Sequence, residues 1–423
     1  DWKVVEFNKT PFTATMTESE ALSYENFNVG DVITISDRNN GVFDIVSGYT
    51  ANGFDVLQTQ DPGLQLKLRL GMIIDMHKLG LKGDKTHDNT SVVQYALDLI
   101  NTGSDPDGVD ATGGILDFGK GVARVTGTLY PQTKNIIMIA SGKWNTNYIP
   151  DFSNPTETHG TLFVDHTGSA FTLDCNFPIG GFSVSKMNFA TNNTPTTRSS
   201  ALFSFDIAGS ERFQRDFSFH KISAVYFTKV WEFKDSVNTG SLNEFGVVSV
   251  TNSNVHQNTQ ILDVMTVPRR VVVNGFTFTG NEAGGNYAVT DGYTPDNVFY
   301  FDGAPLTINK NVLEGQKKLK ILNVNGLDIT GNYLESNTGD AVFRCNGISG
   351  KWNVETQECM LDCPSDVNWP NAETNNINDL IGREIGWTPL SSGNNYNKDM
   401  ACTFNFGSNQ KHNRVIATSD TDS

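Results

Sequence analysis

A short phrase, an apolar residue followed by Ser, Thr, Asp or Asn and a second apolar residue, returns seven times along this chain at intervals of 21 to 35 residues. It reads Phe182-Ser-Val, Phe217-Ser-Phe, Val248-Ser-Val, Phe276-Thr-Phe, Leu306-Thr-Ile, Leu327-Asp-Ile and Trp352-Asn-Val. Three copies run on in parallel: Phe276-Thr-Phe-Thr-Gly-Asn281, Leu306-Thr-Ile-Asn-Lys-Asn311 and Leu327-Asp-Ile-Thr-Gly-Asn332. A repeat of this length marks a chain wound into stacked coils, each burying its apolar face against the next. Equivalent positions in successive coils then lie about 4.8 Å apart, the spacing of strands in a sheet. Chemistry is therefore to be sought in vertical pairs.

Composition agrees with a long all-β solenoid. The 423 residues are 38% apolar with 27 Phe and 39 Gly, and helix-favouring runs are scarce. A net charge of −16, without a Lys/Arg cluster, argues against nucleic-acid binding. No apolar run approaches the roughly 20 residues that cross a bilayer, so membrane insertion is not expected. The five cysteines (Cys175, Cys345, Cys359, Cys363, Cys402) are scattered and lack two metal-spaced pairs, so they read as free thiols. Neither a metal nor a cofactor is expected. The chain opens at Asp1 and not Met, so a preceding segment is expected.

Residues 1–70 alternate like short strands around the turn Asn39-Asn40-Gly41, which predicts a small β adaptor or stem. Then follows Leu79-Gly-Leu-Lys-Gly-Asp-Lys-Thr-His-Asp-Asn-Thr90, leading into a helical pattern over about 89–101. Val92, Tyr95, Ala96, Leu99 and Ile100 form its apolar stripe, and Asp88, Asn89 or Thr90 is placed to cap its start. Such a helix would close the open apolar end of a solenoid. Coils are expected over 71–364, and an Asn-rich, irregular segment over 365–423 with one strand at Cys402-Thr-Phe-Asn-Phe.

The stretch from Leu79 into the helix resembles the opening motif of the pectate-lyase-like superfamily of right-handed parallel β-helices. Gly113-Gly-Ile-Leu-Asp-Phe-Gly-Lys-Gly-Val-Ala-Arg-Val-Thr-Gly-Thr-Leu129 is similar to that superfamily's first coil, and Gly331-Asn-Tyr-Leu-Glu335 to its later ones. With a small β domain ahead of the helix, the chain most resembles phage tailspikes, which degrade bacterial surface polysaccharides as homotrimers. The resemblance implies a single-stranded β-helix, a bacterial surface polysaccharide as substrate, a place on the virion tail, and contacts to other tail or baseplate proteins through the N-terminal side. It leaves the chemistry open, because the superfamily includes hydrolases, lyases, epimerases and plain binders.

The repeat itself ranks the candidate residues. Numbering each phrase from zero, positions zero and two point inward and position five is Asn281, Asn311 and Asn332, suited to a turn ladder of amides. Position eight is Glu314 and Glu335 in adjacent coils, each after a Leu, and alternation turns both Glu outward. Two carboxylates stacked about 5 Å apart have the spacing of a nucleophile and an acid/base in a glycosidase, and their repulsion lifts one pKa. His256 holds position eight two coils earlier, and Glu282 lies between them in height. Glu314, Glu335 and Glu282 are thus the catalytic candidates. Asp174, Asp206, Glu232, Asp235, Glu244 and Asp302 also lie on or beside strands, but no register argument selects them. For sugar binding, His256, Tyr293, Tyr148 and Trp231 are the expected contacts, with Trp144, Tyr287 and Tyr300 as further aromatics. A lyase would need aligned Lys, Arg, His or Tyr beside a uronate. His220, Lys221, Arg269, Arg270 and His256 form no such column.

Overall fold

In the computed structural model, described over residues 11–101, 113–131, 136–140, 160–174, 181–194, 196–206, 213–214, 216–234, 243–264, 271–273, 275–284, 299–302 and the strands at 306–314, 319–324, 327–330, 333–335, 341–345, 348–353, 359–362, 403–405 and 415–418, the chain is a right-handed parallel β-helix. Each full coil lays one strand on each of three parallel sheets. Sheet 1 carries the repeated phrase and holds eleven strands among the described residues; sheets 2 and 3 hold nine each. In the middle coils a further parallel sheet joins Phe213–Gln214, Asn243–Phe245 and Val271–Val273 between sheets 3 and 1.

Six of the seven phrases stand in one register on sheet 1. Ser183 pairs with Ser218, Phe217 with Val248, Val248 with Phe276, Phe276 with Leu306, and Leu306 with Leu327. The seventh is displaced. Leu327 pairs with Ile348, so Ile348-Ser-Gly occupies the phrase position, and Trp352 lies four residues further on, opposite Phe404. A strand's neighbour sets its register, and a one-residue slip would turn every side chain over; the spacing of Trp352 alone did not reveal this. Past residue 364 the parallel stacking continues, with Thr403–Asn405 on sheet 1 and Val415–Thr418 on sheet 3.

Inside, zero and two positions fill the core: Phe182, Phe217, Phe276, Val184, Phe219 and Phe278 are buried. Aromatic rings stack along the coil axis, as Phe205 on Phe233 at 4.5 Å between centroids and Phe171 on Phe203 at 5.4 Å. The turn from sheet 1 to sheet 2 repeats a left-handed residue at Lys186, Lys221, Asn252, Gly280 and Lys310. It is followed inside by a ladder. Asn281 Oδ1 accepts the Ser253 N–H at 2.8 Å, Asn311 Oδ1 accepts the Asn281 N–H at 2.9 Å, and each amide nitrogen donates back to a core carbonyl, of Val250 and Phe278. The ladder thereby pairs backbone groups of Ser253, Asn281, Val250 and Phe278 that burial would otherwise leave unsatisfied. Asn332, the third member expected, lies outside the described residues.

The end cap is a helix over Thr90–Asn101, begun where Asp88 Oδ1 accepts the Thr90 N–H at 3.0 Å. Its buried residues are Val92, Val93, Ala96, Leu97 and Ile100, not the single stripe expected. Tyr95 and Leu99 are only partly buried. The reason is a second packing face: Tyr95 stacks on Phe54 of the N-terminal sheet at 4.6 Å and its hydroxyl donates to Asp55 Oδ1. That N-terminal unit has five strands between Thr13 and Leu68 and turns at Asn39 and Asn40, both left-handed, as the hairpin requires. Arg38 ties it to the helix domain. Its guanidinium forks onto Glu18 at 2.6 and 2.8 Å and donates to the carbonyls of Phe54 and Leu79. No helix of the described residues is long and apolar enough to cross a membrane.

Removing the ladder should cost more than its size suggests. Asn311→Ala leaves a buried N–H and a buried C=O unpaired and should destabilise the protein by about 3 kcal/mol. Lys310→Gly, next to it, relieves a left-handed side chain (φ 55°) and should be neutral or stabilising by about 0.5–1 kcal/mol. Denaturant or thermal unfolding of the two variants checks the contrast.

Candidate functional site

The outer side of sheet 2 brings together two of the residues that the repeat singled out. Its strands Asn254–His256, Glu282–Gly284, Val312–Glu314 and Tyr333–Glu335 stack in register. Val255 and Ala283 fill the core side, so the residues before and after them point out. His256 Nε2 approaches Glu282 Oε1 at 3.6 Å across the strand gap, with side chains 22% and 40% exposed. Burial alone pushes the Glu282 carboxyl above its ordinary value. Directly opposite His256 stands Gly284, which has no side chain, and the next two positions in that column are Glu314 and Glu335. A gap, a protonatable carboxyl and a pair of stacked glutamate positions therefore share one face.

The same face is apolar on the coils before this point. Val122, Phe163, Ala190 and Val225 take outward positions yet are buried, forming a second small cluster apart from the main core, and only Tyr226, packed against it, is partly exposed. Val225 is the register neighbour of His256. The buried cluster thus ends at the ionisable residues.

Trp231 does not belong to any such surface. It is 0% exposed, its ring edge-on to Phe219 and Phe278 at 5.6 and 6.3 Å. The correction was within reach of the sequence: Trp231-Glu-Phe-Lys alternates, and the apolar pair takes the core side. Tyr148 and Tyr293 lie outside the described residues, as do Trp144, Tyr287 and Asp235. Tyr300 and Asp302 fall on sheet 3, where Tyr300 pairs in register with Asp263.

Sheet 3 carries a charged cluster that no sequence argument selected. Glu232 and Asp263 are neighbours across adjacent strands. Lys229 Nζ sits 2.6 Å from each of them, Lys234 Nζ lies 2.9 Å from Glu232, and Ser204 Oγ donates to Glu232 at 2.9 Å. Burial would raise the Glu232 carboxyl, but two ammonium groups outweigh it and hold it below the ordinary value. Asp263 has a share in one ammonium only, so burial wins and pushes it up. Lys229 shares strand parity with the buried Trp231 and Phe233, which would put it on the wrong side for Glu232; at a strand start its long side chain reaches round. Alternation could not have found that contact. Each of the four charged groups is paired within the cluster, so it acts as a brace between coils. Among the described residues no group of His, Cys, Asp and Glu is arranged to hold a metal ion.

No protein-family model matches the chain, and none of the curated proteins does. Solved structures do. The tailspike protein of Acinetobacter baumannii phage AM24 superposes with a TM-score of 0.54 at 12% identity, covering 84% of this chain and 59% of that one. WceF of Pantoea stewartii, described as a glycan biofilm modifying enzyme with a bacteriophage tailspike-like parallel β-helix fold, superposes at 0.55 with 10% identity, over 86% of this chain and 50% of that one. The tailspike gp49 of Acinetobacter baumannii bacteriophage Fri1, a capsular polysaccharide depolymerase, gives 0.45 at 12% identity over 96% and 76%. The chain has the parallel β-helix fold of phage tailspikes. It spans about half to three fifths of the length of the first two structures.

The brace makes a sharp test. Lys229→Met leaves two buried carboxyls facing each other without their shared cation and should cost about 3–5 kcal/mol. In the parent protein, Glu232 adds stability above the ordinary carboxylate range that is lost as pH falls through its lowered pKa. Asp263 does the reverse: its contribution is complete below that range and is lost as pH rises through its raised pKa. In Lys229→Met the deficit should shrink on acidification, because a protonated carboxyl no longer repels its neighbour. Melting temperatures of both proteins across the acidic range check the sign.

Proposed function

We propose that this chain is a tailspike depolymerase that binds a bacterial surface polysaccharide, a capsule or O-antigen, and cleaves it by glycoside hydrolysis. The observation that carries this reading is the Glu282 carboxyl, lifted by burial beside His256 on an outer face where Gly284 leaves room and Glu314 and Glu335 stack in register. Hydrolysis of a glycosidic bond needs one carboxyl kept protonated and a second kept ionised. Glu282 is the acid, protonating the leaving oxygen. Glu314, one strand on and two residues along, lies about 8 Å away between Cα positions by ideal strand geometry and supplies the carboxylate. Glu335, the next position up the same column, is assigned to substrate contact. His256 holds Glu282 and donates to a sugar hydroxyl. Tyr148 and Tyr293 remain proposed sugar contacts from the sequence.

The fold shared with the AM24 tailspike and with WceF supports the glycan as substrate class. On this reading the protein acts as a homotrimer on the virion tail, joined to other tail or baseplate proteins through its N-terminal side. It uses no cofactor.

The test is incubation with purified capsules and O-antigens. New reducing ends without the ultraviolet absorbance of an unsaturated uronate are expected. That absorbance would make the protein a lyase, and binding without new ends would make it a receptor-binding protein. Glu282→Gln should lower kcat by about 10²–10⁴-fold, the contribution of a positioned general acid. Activity should fall as pH rises through the Glu282 pKa, and this limb should lie above that of an exposed glutamate, since ionised Glu282 has no proton to give. A Glu282→Gln variant with full activity would overturn the assignment.

A further inference from the structure

We infer that Tyr226 is a sugar-binding platform of the same site, receiving the apolar C–H face of a saccharide unit next to the bond that is cut. This rests on the functional reading above and adds a residue that the repeat did not pick out.

Tyr226 holds a left-handed backbone (φ 69°) at the corner between sheets 2 and 3. A bulky side chain is uncommon in that conformation and persists only where its surroundings over-determine it. The next coil has Gln257 at the same corner, also left-handed (φ 53°), so the turn itself does not call for an aromatic. What the ring does find is a pedestal. Val122, Phe163, Ala190 and Val225 form the separate apolar cluster on the outer face of sheet 2, and Tyr226 packs on it while remaining partly exposed. Behind the corner, the buried Arg198 bonds Thr259 Oγ1 and the Asn193 carbonyl at 2.9 Å each, pinning the turns on either side.

Position completes the argument. Tyr226 follows Val225, the register neighbour of His256, and His256 contacts Glu282. An aromatic surface, a histidine and a protonatable carboxyl thus follow one another along the outer face. Aromatic rings bind sugars through the polarised C–H groups of one face, with little entropy lost by a ring already fixed in place. A saccharide unit with a broad apolar face, such as a 6-deoxyhexose or an acetylated sugar, fits this platform best.

The experiment measures binding and turnover separately. From a panel of purified capsular and O-antigen polysaccharides, the one bound by the full chain is used. Tyr226→Ala should raise Kd and KM about tenfold with kcat little changed, and Tyr226→Phe and Tyr226→Trp should keep binding within about twofold, since the ring and not the hydroxyl makes the contact. Glu282→Gln should bind as the parent does while its turnover falls by about 10²–10⁴-fold. Melting temperatures are recorded alongside. Unchanged Kd in Tyr226→Ala, or a loss in Tyr226→Phe as large as in Tyr226→Ala, overturns the platform alone. If the parent chain binds no member of the panel, the functional reading falls and the platform with it.

Discussion

Stacking without slippage is the constraint on which this molecule depends. A parallel β-helix has no hairpins to fix its register, so each coil must find the one below it by side-chain fit. The turn between sheets 1 and 2 supplies that fit. A left-handed residue turns the chain from one sheet onto the next, and the amide behind it, as at Asn281 and Asn311, bonds to the neighbouring coil and the carbonyls of the core strands. A coil shifted by one residue would leave those groups buried and unpaired and would turn its phenylalanines outward.

Function inherits that register. Glu282 reaches His256, and Gly284 faces the same histidine, because the ladder sets the phase of each strand that leaves the turn. The outer face of a solenoid coil is a flat strip on which alternate residues are displayed at fixed heights. It suits a long, repetitive ligand better than a small one, since there is length rather than depth. On the proposed reading, the Tyr226 ring and the ionisable group around Glu282 divide this strip into a part that grips and a part that reacts.

Much of this was legible before any coordinates. Period-two alternation identifies the inward residues, and counting along the phrase puts Glu314 and Glu335 in one column. The same counting failed in three ways that share a cause. Trp352 matches the phrase by its local pattern, but the neighbouring strand sets the coil, and Leu327 takes Ile348 instead. Trp231 passes for a surface aromatic until its strand, Lys229–Lys234, turns it into the core. Lys229, Glu232 and Asp263 went unseen because their contacts join positions of opposite parity and separate coils, for which no one-dimensional pattern exists.

By itself, then, the sequence determined the architecture: a fixed repeat of apolar pairs and amides has only one economical way to bury itself, as stacked coils. It also determined the height of each repeat residue, since height follows from counting. What tertiary structure decided was proximity around the coil. Partial burial of the Glu282 carboxyl, the charge brace on sheet 3 and the setting of Tyr226 all arise where residues from different strands and faces meet, and the local environment that shifts a pKa or fixes a ring exists only after the coils have closed.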